Sequence, residues 1–316
     1  MTDPVPTVFF GSGGFAVPIL QALLGSTEVA IRGVVTAPDR PAGRRATPTP
    51  TPVAEFARRR GLAILQPAGL RGPDALDAIA GLRPGLGVLA DFGRIVPPAI
   101  LGVAPAGILN VHPSLLPRWR GASPIPATIL AGDRETGVTV IRMDAGLDTG
   151  PIVAQERWEL VGDEDGPSLE ARAAGVGARL VERIVGPWLR GQLEARSQAS
   201  DGVTLTRPLT RANGRLDPAR RAAELERQVR AFRPWPGTFL ETIAGRIAVL
   251  DARAETGPSS PPADPGRLGP DGMAVAAGGR LVLRVVRPAG GRSMSWADCL
   301  RGRPGLVGSL VPTSPA

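Results

Sequence analysis

Over its first 190 or so residues the chain alternates short β-branched, apolar runs with stretches whose apolar residues recur at helical spacing, and this alternation restricts the fold more than any other feature. Thr7 to Phe10 is an apolar strand, Gly11-Ser12-Gly13-Gly14 a tight turn, and Phe15 to Leu24 a helix. The pattern continues with strands predicted at Val29 to Val35, Leu62 to Leu65, Gly87 to Ala90, Gly107 to His112 and Gly137 to Met143. Helices are expected at Val53 to Arg60, Asp74 to Leu82, Ser123 to Leu130 and Ser168 to Leu189. Strands and helices in this order predict an α/β fold, a doubly wound and mostly parallel sheet covered by helices on both faces.

The texture changes beyond Arg190. Gln, Ser, Ala and Asp predominate to about Pro208 and read as a linker, a helix is expected from Pro218 to Phe232, and short β-like runs follow. Those runs, Thr238 to Leu250, Gly272 to Val275, Arg280 to Val286 and Gly305 to Val311, are separated by Gly/Pro-rich turns and predict a small β-barrel or sandwich. The expected division is therefore 1–189, a linker at 190–208, and 209–316. Charge follows the same boundary: residues 201–316 hold 17 Arg against 10 Asp+Glu, which is +7 of the net +8. A basic module after a nearly neutral one fits either a polyanionic partner or a solvated basic surface. The tract from Thr47 to Pro52 is too proline-rich for regular structure and reads as an extended surface loop.

Composition removes several chemistries. The one cysteine, Cys299, cannot build a disulfide framework or a thiolate metal site, and a single histidine excludes His-rich metal sites, so any metal chemistry would have to rest on carboxylates; the expected site holds no metal. There is no lysine, hence no Schiff-base catalysis. No apolar run reaches membrane-spanning length, and MTDPVPTVFF carries an acid and two prolines where a signal peptide would be basic, so a cytoplasmic protein with no membrane partner is expected.

Gly11-x-Gly13-x-x-Ala16 between a strand and a helix satisfies the dinucleotide-binding fingerprint, but the acid that should grip a ribose about 20 residues on is missing, and a plain tight turn is favoured. The segment Asn110 to Gly121 is more informative. It starts at the carboxyl end of an expected parallel strand, where open α/β sheets place their ligand crevice. The only histidine, His112, stands there two residues from Asn110, so both side chains point to one side of the strand. An amide donor can stabilise a developing oxyanion and an imidazole can move a proton near neutral pH. The loop Asp144-Ala145-Gly146-Leu147-Asp148-Thr149-Gly150 leaves the end of the next long strand and is expected to bring carboxylates to the same crevice. These residues point to acyl-type transfer by Asn, His and Asp, with the substrate's own nucleophile attacking a carbonyl.

The run Ile108 to Ile125, continued through Gly132-Asp133, Thr136 to Thr139 and Asp144 to Gly150, resembles the methionyl-tRNA formyltransferase family. Phe10-Gly11 to Phe15-Ala16, Pro38 to Arg44, Phe92 to Pro97 and Arg230 to Gly237 resemble further segments of it, so the likeness covers nearly the whole chain. The resemblance implies a Rossmann-like formyltransferase domain followed by an oligonucleotide-binding-type barrel. It also implies transfer of a formyl group from 10-formyltetrahydrofolate to the methionine of charged initiator tRNA by a protein expected to be a monomer. Asn110, His112 and Asp148 would be the catalytic set. Phe92, Gly93, Ile95, Val96, Ser114, Leu115, Leu116, Pro117 and Asp144 would bind the folate, and Arg40, Arg44 and Arg45 the tRNA. The chain departs from the family at Arg45 and the Thr/Pro run, where Gly and lysines are usual, and at Asp91, Ser123, Pro126, Leu205 and Pro208.

A folate-dependent N-formyltransferase for a small amine such as an amino sugar nucleotide would share Asn110, His112 and Asp148, but needs neither the Pro38 to Arg44 loop nor the basic module. A nicotinamide-dependent dehydrogenase and a non-enzymatic tRNA-binding protein are the readings from other classes.

Overall fold

The computed structural model describes residues 3–42, 47–255, 257, 264–276 and 279–313. The chain divides into two compact units, the first of residues 1–124, 135–159 and 170–207, the second of 125–134, 160–169 and 208–316. Arg44 and Arg45 lie outside the described residues.

The first unit is built on strands β1 (Val5–Gly11), β2 (Val29–Val35), β3 (Ile64–Leu65), β4 (Leu86–Ala90), β5 (Ile108–His112), β6 (Glu135–Arg142) and β7 (Ile152–Glu159), in the order β7-β6-β5-β4-β1-β2-β3. The pairings from β3 through β5 are all parallel. β6 and β7 extend that sheet as an antiparallel pair. Strand order reverses between β1 and β4, which opens a crevice at their carboxyl ends. The connections include α1 (Ala16–Gly25), α2 (Pro52–Arg59) and α3 (Pro73–Ala80). α2 starts at Pro52 because Thr51 Oγ1 accepts the Ala54 N–H at 3.0 Å, a side-chain cap worth about 1 kcal/mol. The Thr47 to Pro52 tract therefore differs from an irregular loop: Thr47–Thr49 pairs antiparallel with Arg40–Ala42 before that cap.

Alternation along the strands sends side chains to two cores. Phe9, Val34, Val88, Leu109 and Val111 pack with Ile19, Leu20 and Leu23 of α1 and with Leu180, Val181 and Ile184. The intervening residues Val8, Phe10, Val35, Leu89 and Ile108 pack with Ala75 and Ile79 of α3. A buried side chain of the size of Phe9 or Leu20 contributes about 1.5–3 kcal/mol. On β5 the parity places Asn110 and His112 on the face that Ile108 shares.

The second unit carries its own core, including Leu225, Leu240, Ile247, Leu281, Val286 and Trp296, around an antiparallel sheet. Its strands are β8 (Thr238–Thr242), β9 (Gly245–Glu255), β10 (Gly272–Ala274), β11 (Arg280–Pro288) and β12 (Met294–Ser295), ordered β8-β9-β11-β10 with β12 on β11. The run read as one strand from Thr238 to Leu250 is a hairpin, turned at Gly245 with φ 86°. The helix expected from Pro218 spans Ala222–Ala231, because Asp217 Oδ1 accepts the Ala219 N–H and Asp217 O the Arg220 N–H, holding Pro218 in a preceding turn. Gly305 to Val311 forms a 3-10 turn at Pro304–Leu306 and an isolated bridge between Arg267 and Leu310 in place of a strand. Among the described residues no helix is long and apolar enough to cross a membrane.

Candidate active site

Asn110 and His112 stand on the last residues of β5, 6% and 5% exposed, and Asp148 meets both. Asn110 Nδ2 donates to Asp148 Oδ1 at 3.0 Å, and His112 Nδ1 lies 3.6 Å from Asp148 Oδ2. The route by which Asp148 arrives differs from the parallel arrangement expected of its strand. β6 is antiparallel to β5, with Arg142 beside Leu109, so the strand ends away from His112. The loop from Asp144 then doubles back to bring Asp148 over Asn110. Gly150 allows the return, since a Cβ there would lie 1.9 Å from Arg142 O. Asp148 itself has φ 51°, in the left-handed region.

Two backbone groups complete the arrangement. Asp148 Oδ2 accepts the Gly121 N–H at 2.8 Å, and Trp119 O accepts a hydrogen bond from His112 Nε2 at 2.9 Å. A carbonyl oxygen only accepts, so this contact assigns the ring proton to Nε2 and leaves Nδ1 as the position that takes up a further proton, facing the carboxylate. Gly121 has φ 105°, and a Cβ on it would lie 2.4 Å from Thr206 O, so only glycine fits. The Asn110 amide keeps one N–H beyond the one given to Asp148. The site therefore offers a fixed hydrogen-bond donor, a proton acceptor and a half-buried carboxylate behind it.

The other residues read from sequence are spread around this centre. Phe92 and Val96 are buried, Gly93 has φ 68°, and Ile95 is 77% exposed, on an irregular segment at the strand-order reversal. Phe92 packs edge-on against Phe10 at 5.7 Å. Ser114 and Leu116 are fully buried, and Thr139 anchors both, donating to Ser114 O at 2.6 Å and accepting the Leu116 N–H at 3.1 Å. Leu115 and Pro117 are half-buried. Asp144 is exposed and organises its own loop, accepting from Gly146 N and Thr149 Oγ1. Arg40 is exposed beside the short ladder. A cavity of about 440 Å³ lined by Leu65, Gln66, Pro67, Asp74, Ala75 and Ile79 involves none of the three central residues. Among the described residues no group of His, Cys, Asp or Glu is arranged to hold a metal ion.

The glycine turn is closed to a dinucleotide. Asp91 O accepts the Ser12 and Gly13 N–H groups at 2.9 and 3.1 Å, the donors a pyrophosphate would need. The Asp91 carboxylate sits on Gly13, where a Cβ would be 1.7 Å from Oδ2. The surrounding protein pushes the Asp91 carboxyl up from the usual carboxylate range although the residue keeps solvent access, and Glu170 is also raised, by its own burial and then by the Asp91 charge.

Sequence reasoning did not find Gly121, Trp119 or Gln198. Gln198 Nε2 donates to Asp148 O at 2.7 Å and to Gly150 O at 2.8 Å, while its Oε1 accepts from Arg120. Its segment was read as linker, yet Arg196 bridges to Ile152, and Leu205–Thr206 pairs parallel with Arg120–Gly121.

Asn110, His112 and Asp148 meet at the carboxyl end of β5 in a mostly parallel α/β sheet, and sequence comparison gives the class. Residues 6–185 match the family described as "Formyl transferase" and residues 208–304 the family described as "Formyl transferase, C-terminal domain". The chain belongs to the formyl transferase family and is an enzyme of that class. Relatives named methionyl-tRNA formyltransferase include one from Halorhodospira halophila, 43% identical over 312 residues and 98% of both chains. Another, from Myxococcus xanthus, is 41% identical over 303 residues and 96% of both chains. The fold resembles the N-formyltransferase from Helicobacter canadensis solved with folinic acid and dTDP-3-aminofucose, with a TM-score of 0.65 at 15% identity over 88% of this chain and 98% of that one. It also resembles glycinamide ribonucleotide transformylase 1 from Symbiobacterium toebii, with a TM-score of 0.51 at 24% identity over 63% and 95%.

Proposed function

We propose that the chain transfers the formyl group of 10-formyltetrahydrofolate to the α-amino group of methionyl initiator tRNA, for translation initiation. The chemistry is carried by the convergence of Asn110, His112 and Asp148, with Asn110 hydrogen-bonded to Asp148 and His112 Nδ1 3.6 Å from it. The acceptor is supported by the likeness, along almost the whole chain, to relatives bearing the name methionyl-tRNA formyltransferase.

The residues around the crevice fit a folate. The segment Phe92 to Val96 lies outside helices and strands, so its backbone N–H and C=O groups are free of regular pairing to meet a pterin, and Gly93 supplies the turn. Leu115 and Pro117, on the segment that follows His112, offer half-buried apolar surface. The donor supplies the formyl carbon. Asn110 gives its remaining amide hydrogen to the formyl oxygen as negative charge develops there. His112 Nδ1 takes the proton shed by the attacking amine and returns it to the departing nitrogen, so that one C–N bond forms, one breaks and one proton is relayed. Asp148 offsets the imidazolium charge during the relay and aims both partners.

The acceptor strand of the tRNA is assigned to Arg40, Arg44 and Arg45, and its phosphates to the +7 module of residues 201–316, which acts as an oligonucleotide-binding-type barrel. The enzyme works as a cytoplasmic monomer. Purified protein given 10-formyltetrahydrofolate and charged initiator tRNA should yield an acid-stable formylmethionyl ester, and none with uncharged tRNA. Formylation of an amino sugar nucleotide with no reaction on the tRNA would replace this reading with the small-amine one.

A further inference from the structure

We propose that Gln198 is a positioning residue for the Asp148 carboxylate, and that the segment from Gln198 to Thr206 is the strap that assembles the catalytic set. The inference rests on the formyl-transfer reading of Asn110, His112 and Asp148. Its starting point is Asp148, a non-glycine residue held at φ 51°, a conformation that costs about 1–2 kcal/mol and persists only where its surroundings impose it. Gln198 imposes it. Its amide nitrogen clamps the carbonyls of Asp148 and Gly150 at 2.7 and 2.8 Å, so the turn that aims the carboxylate has both of its flanking acceptors tied to one side chain.

The amide orientation is forced. Arg120 can only donate, and its Nε and Nη2 reach Gln198 Oε1 at 3.1 and 2.7 Å, which leaves Nε2 for the two carbonyls. The rest of the strap serves the same three residues. Thr204 Oγ1 accepts the Trp119 N–H at 2.8 Å, fixing the residue whose carbonyl holds His112. Thr206 pairs with Gly121, the donor to Asp148, and its Oγ1 donates to Arg120 O. The strap thus holds Asp148, Trp119, Arg120 and Gly121, the backbone from which the imidazole and the carboxylate are oriented. Gln198 touches no reacting atom and acts through Asp148.

Gln198→Met removes the clamp while keeping the volume. Gln198→Glu keeps the acceptor for Arg120 and loses both donations. A displacement of about 1 Å at a reacting group costs on the order of 100-fold in rate, so kcat should fall by about that factor in both variants, with each KM within about twofold. His112 is the chain's only histidine, so its imidazole 1H and 15N resonances are observed without competition and report directly on what faces Nδ1. They should move in both variants and stay in place in Gln192→Met, an exposed change on the same segment. The proposal is overturned if either folded variant keeps the wild-type imidazole resonances, or if kcat holds while KM rises. Should the methionine variant fail to fold, the glutamate variant decides. The resonance measurement needs no turnover, so it separates failure of the clamp from failure of the formyl-transfer reading.

Discussion

Replacing Asp148 with Asn tests how much of the chemistry depends on a charged acceptor behind His112. The carboxylate uses one oxygen for Asn110 Nδ2 at 3.0 Å and the other for the Gly121 N–H at 2.8 Å, with His112 Nδ1 at 3.6 Å from the latter. An amide has one acceptor and one donor. Turned one way its N–H faces the Gly121 N–H, and turned the other way it faces Asn110, which must flip its own amide and give up the donor aimed at the formyl oxygen, so one hydrogen bond to a charged group is lost either way, about 1.5–3 kcal/mol. The imidazolium also loses its counter-charge. At 3.6 Å and an effective dielectric near 20 that attraction is on the order of 4 kcal/mol, only part of which is specific to the charged step. Together the barrier should rise by about 3–4 kcal/mol, or two to three decades in kcat. Single-turnover formation of the acid-stable formylmethionyl ester at saturating donor measures the step directly. A rate within about threefold of wild type, with the variant folded, would refute the reasoning.

Gly121→Ala forces a Cβ to 2.4 Å from Thr206 O at φ 105°, a strain of about 2 kcal/mol or more, and should lower the melting temperature by roughly 4–8 °C together with kcat; an unchanged melting temperature would contradict the close approach. Asp91 and Glu170 bind their protons more tightly in the folded chain than in the unfolded one, so each lowers stability as pH rises above about 4 and ceases to do so once acid protonates both states. Asp91→Asn should therefore melt higher than wild type at neutral pH, with the gain vanishing on acidification; a lower melting temperature at neutral pH would show that the carboxylate is stabilising.

Periodicity made the first unit legible as far as β6, because strands buried on both faces read as continuous apolar runs such as Val8 to Phe10 and Val34-Val35. β7 was missed for the converse reason: its run Gln155-Glu156-Arg157-Trp158-Glu159 is polar, as suits an edge strand, and an antiparallel partner needs no helical crossover to announce it. The same antiparallel pairing is why the loop from Asp144 reaches Asn110 by folding back, which strand order in the sequence does not reveal. Asn110 and His112 stood out because rare side-chain chemistry on alternate residues of one strand survives any detail of packing. Gly121 and Trp119 act through backbone atoms, which carry no residue signature. Gln198 sits in a Ser/Ala/Asp texture whose local pattern is that of a linker, and only its long-range contacts to Asp148 and Arg120 distinguish it.

The catalytic trio is tested most directly by His112→Ala, the only histidine, assayed for formyl transfer and, in the same preparation, for binding of charged initiator tRNA and of folate. Loss of transfer with both binding affinities nearly intact is the expected result. Turnover at the wild-type rate would contradict the proton relay and, with it, the chemistry assigned to Asn110, His112 and Asp148.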